Sequence, residues 1–276
     1  YLARRSNKSR TAAPSAPPAA QQFSGALNFT RPTEFVQLPT EGKFYPEGHP
    51  LHLVTEVEIN YMSAKEEDIL TSQALISRGV VLDRLMQSVL VDKAIDVNTL
   101  YPGDKNAILI AARATGYGPE YVSNVVCPAC SHRHEHVVDL VSLPIKEVPT
   151  DISLTPAGTF TISLPVSKFT AELKILNAKE QKFLDNNRQA NVKNNLPESN
   201  RTDLLKMIVV SINSISVRSE LDNFIMNMPA QDSRTIKKAY DDVSPSLLMD
   251  QEIECPKCKH TVVREVPLGL DFFWPS

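Results

Sequence analysis

Two copies of one cysteine spacing constrain this chain more than any other feature. Cys127 and Cys130 form a C-P-x-C pair, and after 124 further residues Cys255 and Cys258 form a second one. These are all four cysteines of the 276-residue chain. A C-x-x-C turn presents two thiolates from one tight loop, and structural zinc takes four ligands in a tetrahedron. The sequence therefore predicts one structural zinc ion bound by Cys127, Cys130, Cys255 and Cys258.

The long gap between the two pairs predicts how the chain is organised. Zinc ribbons usually separate their pairs by about 15–20 residues, so a gap of this length indicates a domain inserted between the halves of a split ribbon. CPACSH followed by HVVDLVSLP matches CPKCKH followed by TVVREVPLG, and both halves have the pattern strand, knuckle, strand. We predict an α+β fold with a split zinc-ribbon-like sheet region, a largely helical insert and an extended N-terminal arm. The predicted boundaries are 1–34 for the arm, 35–141 and 246–276 for the body, and 142–245 for the insert.

Other chemistry for the cysteines fits less well. A redox-active C-x-x-C would place a cysteine of lowered pKa at a helix N-terminus, and the flanks here have strand patterns. Local disulfides would need an oxidising compartment, and a catalytic zinc needs an open ligand position that four thiolates do not leave. His132 and His260 each follow a second cysteine by two positions. Either could replace a cysteine or contact a sulfur, although a solvated turn histidine is the more common arrangement.

Two further clusters leave alternatives open. His132, His134 and His136 alternate along one predicted strand, which suits a metal and equally suits exposed polar positions. Phe272, Phe273 and Trp274 form a dense aromatic cluster near the end of the sequence. This cluster could fold back on the core or anchor in a pocket of a partner, because Trp is typical of interface hot spots.

The net charge of −3 averages two different regions. Residues 1–33 carry five basic and no acidic residues, whereas the rest of the chain carries 24 Lys and Arg against 32 Asp and Glu. Because this region is rich in Pro and Ala and lacks an apolar period, we predict an arm without a core of its own. It could touch nucleic acid, but it lacks the interleaved aromatic residues of single-strand binders. An acidic protein surface is at least as good a partner.

The sequence contains no motif of a known catalytic site. It has no phosphate loop, dinucleotide fingerprint, nucleophile elbow or H-E-x-x-H helix. Pro102-Gly103-Asp104 is interpreted as a turn, with Asp104 capping a helix that Gly116 ends. No apolar run approaches the roughly 18 residues of a membrane span. We therefore predict a protein that is not an enzyme, has no catalytic residues and does not cross a membrane.

Local patterns also predict individual elements. Ser63 and Glu66 have the spacing of a capping box at the start of a helix. Ser167 can cap a helix across 169–183, and another helix is predicted across 202–214. These patterns place helices in both the body and the insert.

Several stretches together resemble a known family. They are LPTEGKFYPEGHPL at 38–51, an L-T-S motif with the following apolar run at 70–90, and LYPGDKNAILIAARATGYGPEY at 100–121, which leads into CPAC. CPKC and FFWP follow near the end. Their order resembles the baseplate hub subunit and baseplate hub assembly chaperone family of T-even-type contractile-tailed bacteriophages. The resemblance covers about 35–140 and 250–275, and its middle motif is the most specific.

The resemblance implies a non-enzymatic structural or assembly protein of the baseplate hub. The expected location is the virion tail baseplate, after assembly in the host cytoplasm. The expected partners are other tail baseplate proteins in an oligomeric ring or another multi-copy assembly. The alternative is a zinc-ribbon module that binds nucleic acid, which predicts a basic face around the knuckles. Arg133 beside Glu135, and Lys257 and Lys259 near Glu254, give a mixed face that disfavours this alternative.

Overall fold

The computed structural model describes residues 30–146, 148–149, 152–194, 200–266 and 268–274. It has helices and small antiparallel sheets, so the predicted α+β class is confirmed. The predicted arm lies outside the described residues as far as position 29, and Thr33 and Glu34 already belong to the first strand. In chain order the elements are β1 (Thr33–Gln37), β2 (Glu56–Asn60), α1 (Ala64–Thr71), α2 (Gln73–Ser77), α3 (Val81–Val89), α4 (Pro102–Tyr117), β3 (Glu120–Val126), β4 (Arg133–Asp139), β5 (Thr159–Ser163), β6 (Thr170–Lys174), α5 (Ala178–Lys193), α6 (Asn200–Ile208), β7 (Val209–Ile212), α7 (Arg218–Asn227), α8 (Ala230–Val243), β8 (Asp250–Glu254), β9 (Thr261–Glu265) and a final 3₁₀ helix (Leu270–Phe273).

The strands pair with near neighbours in the sequence. Three two-stranded sheets, β1–β2, β3–β4 and β8–β9, are accompanied by a three-stranded sheet in the order β5-β6-β7, and every pairing is antiparallel. Two-stranded ribbons have little stability alone. Each two-stranded sheet must therefore gain its stability from other contacts. These contacts are packing on helices or, for β3–β4 and β8–β9, a connection between the tips of the two hairpins.

The described residues build two hydrophobic cores. The first gathers β1, β2 and the helices α1, α3 and α4, together with Met249 and Phe272 from the C-terminal region. The second gathers the sheet β5–β7 and the helices α5–α8. Neighbouring residues of the 38–51 loop divide between them, because Phe44 belongs to the second core and Tyr45 to the first. This loop therefore joins the two cores.

A buried carboxylate holds the 38–51 loop against α4. Asp104, fully buried in the first turn of α4, accepts hydrogen bonds from the Thr40 N–H (3.1 Å), the Thr40 hydroxyl (2.7 Å) and the Tyr45 hydroxyl (2.7 Å). The N-terminal end of a helix also favours negative charge. The prediction that Asp104 caps the helix is wrong: Pro102 is the first helical residue, and Asp104 lies inside the first turn. Its side chain binds a distant loop instead of its own helix.

Two glycines permit close approaches between segments that are distant in the sequence. A Cβ on Gly103, in the first turn of α4, would lie 2.2 Å from the Pro245 carbonyl oxygen. A Cβ on Gly158 would lie 2.2 Å from the Phe44 carbonyl oxygen, and its φ of +72° also favours glycine. Both positions need glycine because backbone occupies the space of a side chain.

The capping box predicted at Ser63 is confirmed.

The predicted helix across 169–183 is wrong in its first part. Thr170–Lys174 forms strand β6, whose residues alternate between buried and partly exposed and pair with β5 and β7. The N–H groups of Val166 and Ser167 donate to the Asp232 carboxylate instead of opening a helix. The helix begins only at Ala178.

The helix predicted across 202–214 also ends early. The chain is helical to Ile208 and then forms β7, which pairs with β6. Asn213 and Ser214 follow with φ values of 47° and 66°, so they turn the chain sharply. Pairing with a strand distant in sequence overrides local helical periodicity here.

The aromatic cluster at 272–274 folds back on the first core. Phe272 and Phe273 are each only 1% exposed, whereas Trp274 is 41% exposed. The two phenylalanines of this cluster therefore contact the core, and Trp274 is the member of the cluster that presents an aromatic surface to solvent.

Arg113 of α4 fixes this segment. Its Nε donates to the Phe272 carbonyl (3.0 Å) and its Nη1 to the Gly118 carbonyl (2.8 Å). Its guanidinium lies 5.5 Å from the ring centroids of both Tyr121 and Phe272, within the range of a cation–π contact. One buried side chain thus joins α4, the start of β3 and the 3₁₀ helix.

Arg113→Met should loosen the C-terminal segment. Methionine keeps much of the stem volume but loses both hydrogen bonds and the cation–π contacts, so we expect a loss of about 2–3 kcal/mol of unfolding free energy. Chymotrypsin should then cut at Phe272 and Phe273 faster than in the unmodified chain. Arg84→Met, at an exposed position of α3, is the matched control. Equal cleavage rates for both variants would contradict the assigned role of Arg113.

Within the described ranges, none of the helices combines the length and the apolar character that crossing a membrane requires.

Candidate metal centre

The four cysteines lie at the tips of two similar hairpins. Cys127 and Cys130 follow β3 and precede β4, and Cys255 and Cys258 follow β8 and precede β9. The strands on each side pair in continuous antiparallel register up to the knuckle. The predicted strand, knuckle, strand pattern is present in both halves, and the arrangement is compatible with a zinc-ribbon-like region.

The two knuckles share the same backbone geometry. The Cys127 N–H donates to the His132 carbonyl and the Cys255 N–H to the His260 carbonyl, both at 2.9 Å. One residue after the second cysteine of each pair, Ser131 and Lys259 have φ values of 56° and 60°. Their N–H groups donate back to the carbonyl of the first cysteine, at 2.9 Å in each knuckle. The internal sequence match therefore corresponds to two equivalent turns.

The turns bring the four sulfur atoms within 4.8 Å of one another. Cys127 Sγ lies 3.6 Å from Cys258 Sγ, and Cys130 Sγ lies 3.7 Å from Cys255 Sγ. For a Zn–S bond of about 2.3 Å, a tetrahedron has edges of about 3.8 Å. The four thiols are thus spaced as ligands of one tetrahedral metal ion, and they could hold one.

The pKa values of two of the thiols also bear on how the cluster could bind a cation. Burial raises the pKa of Cys255, but the N–H groups of Cys258 and Lys257 lower it more, and the pKa falls to about 7. For Cys258 the N–H of His260 lowers the pKa, but the hydrogen bond with the Cys130 thiol, together with burial, raises it to about 12. A divalent ion lets all four sulfurs ionise together, because a coordinating thiol is deprotonated outright.

Ser131→Gly should stabilise the first knuckle. A left-handed backbone costs an L-residue about 1–2 kcal/mol, and glycine avoids this at a smaller entropic cost. We expect unfolding free energy to rise by up to about 1 kcal/mol, measured by urea denaturation. Ala129→Gly, two residues earlier and outside the left-handed region, should instead lower it slightly. Destabilisation by Ser131→Gly would contradict the turn geometry.

The histidines do not join the cysteines. Among the described residues, the close group of ligand atoms contains the four cysteines and no histidine. His132 and His260 contribute their carbonyl groups to the knuckles, and the His132 ring stacks at 6.0 Å on that of His134. Both ring nitrogens of His134 are buried without a hydrogen-bond partner within the part of the chain that the structure describes.

Two buried residues of structural importance were missed by the sequence analysis. Asp104 was interpreted as a helix cap, and Arg113 was not singled out. A polar residue inside an apolar helix is a weak signal, because its partners come from loops and termini distant in sequence. Both residues lie in the 100–121 stretch that carries the strongest family resemblance.

A comparison with known protein families shows which family this chain belongs to. The profile of the family described as T4 bacteriophage base plate protein matches residues 31–274. The chain belongs to this baseplate family. The match spans both cysteine knuckles and the region between them, so it includes the whole cysteine cluster. No curated protein and no solved structure gives a significant match to the chain.

Family membership gives this baseplate protein a structural role in the phage tail. Its location is the tail of the virion, and its partners are other proteins of the baseplate. The resemblance noted from the sequence motifs is thus confirmed for a T4-type baseplate protein. The four-cysteine cluster lies within the matched region and is the centre that could hold a metal ion.

Proposed function

We propose that this protein is a non-enzymatic structural or assembly component of the baseplate hub, stabilised by one structural zinc ion. The family match across 31–274 carries the baseplate role. The hub assignment rests on the motif order around 38–51 and 100–121. Zinc rather than another ion is proposed because four thiolates in a tetrahedron suit Zn²⁺ and leave no open catalytic position.

The metal would act as a staple between hairpins that are far apart in the sequence. Cys127 and Cys258 are 131 positions apart, yet their sulfurs lie 3.6 Å from each other. Metal binding to a site that does not exist in the unfolded chain contributes folding free energy. We further propose that 142–245 forms an insert around the second core, and that zinc closes the body on either side of it.

The direct contact between the hairpins in the described structure is otherwise modest. The Arg264 Nη2 donates to the Val126 carbonyl at 3.4 Å, which is a long hydrogen bond. The outer faces of the hairpins carry exposed valines, Val137 and Val263 among them. These faces and the half-exposed Trp274 are the surfaces that we propose for contacts with neighbouring baseplate proteins in a ring or another multi-copy assembly.

The charges around the knuckles favour protein partners over nucleic acid. Lys259 pairs with Glu254 at 2.8 Å, and Arg133 and Glu135 both project from the outer face of β4. A phosphate-binding face would present several unpaired cations together. Nucleic-acid binding with a steep salt dependence would favour the alternative of a zinc-ribbon binding module.

The proposed role is tested in purified phage particles and in baseplate intermediates from infected cells. Mass spectrometry should detect this chain in the virion, and chemical cross-linking should join it to other tail proteins at the hub. Antibody labelling in electron microscopy should mark the baseplate end of the tail. Presence in intermediates alone would leave a transient assembly role in the host cytoplasm. Absence from both preparations would overturn the proposal.

A further inference from the structure

Two close contacts between thiols of different knuckles lie within the cluster of four sulfurs. Cys127 lies next to Cys258 at 3.6 Å, and Cys130 lies next to Cys255 at 3.7 Å. Each pair combines a buried sulfur with a more accessible one. Cys127 and Cys255 are buried, whereas Cys258 is exposed and Cys130 is intermediate. The accessible thiol of each knuckle therefore faces a buried partner from the other knuckle.

We propose that these thiols are a site of oxidative modification, at which hydrogen peroxide forms two cross-knuckle disulfides, Cys127–Cys258 and Cys130–Cys255, once the metal has left. Accessible cysteines with an adjacent resolving thiol are the usual place for such chemistry. This inference goes beyond the proposed function, and it rests on the thiol cluster rather than on the identity of the metal.

The reaction proceeds in two balanced steps at each pair. The sulfur of the accessible cysteine attacks one oxygen of the peroxide, so an S–O bond forms and the O–O bond breaks. The second oxygen leaves as water with the thiol proton, and a sulfenic acid results. The buried sulfur then attacks the sulfenic sulfur, the S–S bond forms and the S–O bond breaks, and the hydroxyl group takes the proton of the buried thiol and leaves as a second water. Two thiols are oxidised and one peroxide is reduced to two waters.

The pairing has a consequence for a protein of the virion tail. Disulfides within a knuckle would leave the hairpins unlinked, whereas the two cross-knuckle bonds close loops that span 131 and 125 positions. Disulfides persist outside the reducing cytoplasm. A released particle that loses the metal would thus keep its hairpins joined by covalent bonds.

Peptide mapping of the oxidised full chain tests the pairing. The chain is treated with EDTA and hydrogen peroxide at pH 8.5, remaining thiols are blocked with N-ethylmaleimide, and trypsin then cuts after Lys257, between Cys255 and Cys258. Cross-knuckle pairing should attach both fragments to the peptide 114–133, and tandem mass spectrometry should place the Cys258 fragment on Cys127 and the Cys255 fragment on Cys130, whereas the opposite placement would overturn the proposal. Within-knuckle pairing would instead join the two fragments that flank Lys257, and this result would overturn the proposal. Four free thiols, or sulfinic and sulfonic acids without a disulfide, would also overturn it.

The same oxidation in 6 M guanidinium is the control for folding. Loop closure in an unfolded chain favours near neighbours, so the denatured chain should yield mainly within-knuckle bonds. A native sample that gives the same peptide pattern as the denatured one would contradict a pairing dictated by the fold.

Variants with two cysteines separate the alternatives by electrophoresis. Cys130→Ser with Cys255→Ser keeps one proposed pair, and Cys255→Ser with Cys258→Ser keeps one complete knuckle. A long closed loop makes the denatured chain more compact, so the first variant should migrate faster without reductant and the second should not. Circular dichroism before oxidation confirms that each variant is folded. Zinc content is measured separately on the untreated chain. An untreated chain without zinc would overturn the zinc assignment, whereas different disulfides after oxidation would overturn the cysteine pairing proposed here.

Discussion

Cys127→Ser should lower the unfolding free energy by at least about 4 kcal/mol, because loss of a structural metal is among the few single changes with so large an effect. The serine hydroxyl is not ionised at neutral pH and is a poor zinc ligand. Three thiolates would then have to hold the ion while both hairpins lose their staple. Urea denaturation with and without EDTA is the measurement. The unmodified chain should lose stability in EDTA, whereas the variant should change little.

Ala129→Ser is the matched control for this substitution. It introduces the same hydroxyl in the same knuckle, at an exposed position between the two cysteines. Its unfolding free energy should stay within about 0.5 kcal/mol of the unmodified chain. If Cys127→Ser were as stable as Ala129→Ser and equally insensitive to EDTA, the cysteine cluster would have no structural role.

Asp104→Ala should have the second largest effect, about 3 kcal/mol or more of unfolding free energy. It would leave the N–H and hydroxyl of Thr40 and the hydroxyl of Tyr45 without their acceptor, and Thr40 and Tyr45 are each only 1% exposed. Burial and the Asp104 charge both raise the pKa of Tyr45, so this hydroxyl stays protonated as a donor. Because the 38–51 loop joins both cores, its release should lower the stability of each.

Glu47→Ala is the control for the loss of a carboxylate in this region. Glu47 lies in the same loop and is exposed, so its replacement should change stability by less than about 0.5 kcal/mol. Hydrogen exchange should show faster exchange around 38–51 in Asp104→Ala and unchanged exchange in Glu47→Ala. Equal protection in the two variants would contradict the anchoring role of Asp104.

The four-cysteine cluster could be predicted from the sequence because each half of it is encoded locally. Each C-P-x-C turn defines two ligand positions within four residues, and four thiolates suit one tetrahedral ion. The β3–β4 and β8–β9 strands follow from the same segments, since a knuckle needs a strand on each side. What the sequence could not provide was the approach of the two turns, which depends on the fold of everything between Cys130 and Cys255.

The elements that the sequence analysis missed depend on partners distant in the chain. Residues 170–174 have a period compatible with a helix, but they form the central strand β6 because β5 and β7 lie on both sides. Residues 209–212 extend a helical pattern, but they form β7 because they pair with β6. Asp104 has the position of a cap, and its true partners lie 64 and 59 positions away. Local propensity decides such segments only where tertiary pairing is neutral.

The metal content of the purified full-length chain is the measurement that tests the central claim most directly. Inductively coupled plasma mass spectrometry should find about one zinc ion per chain and essentially none in Cys127→Ser, as expected for a closed four-thiolate site. A folded chain that contains no stoichiometric metal and keeps its full stability in EDTA would contradict the account of the two hairpins as a zinc-stapled ribbon.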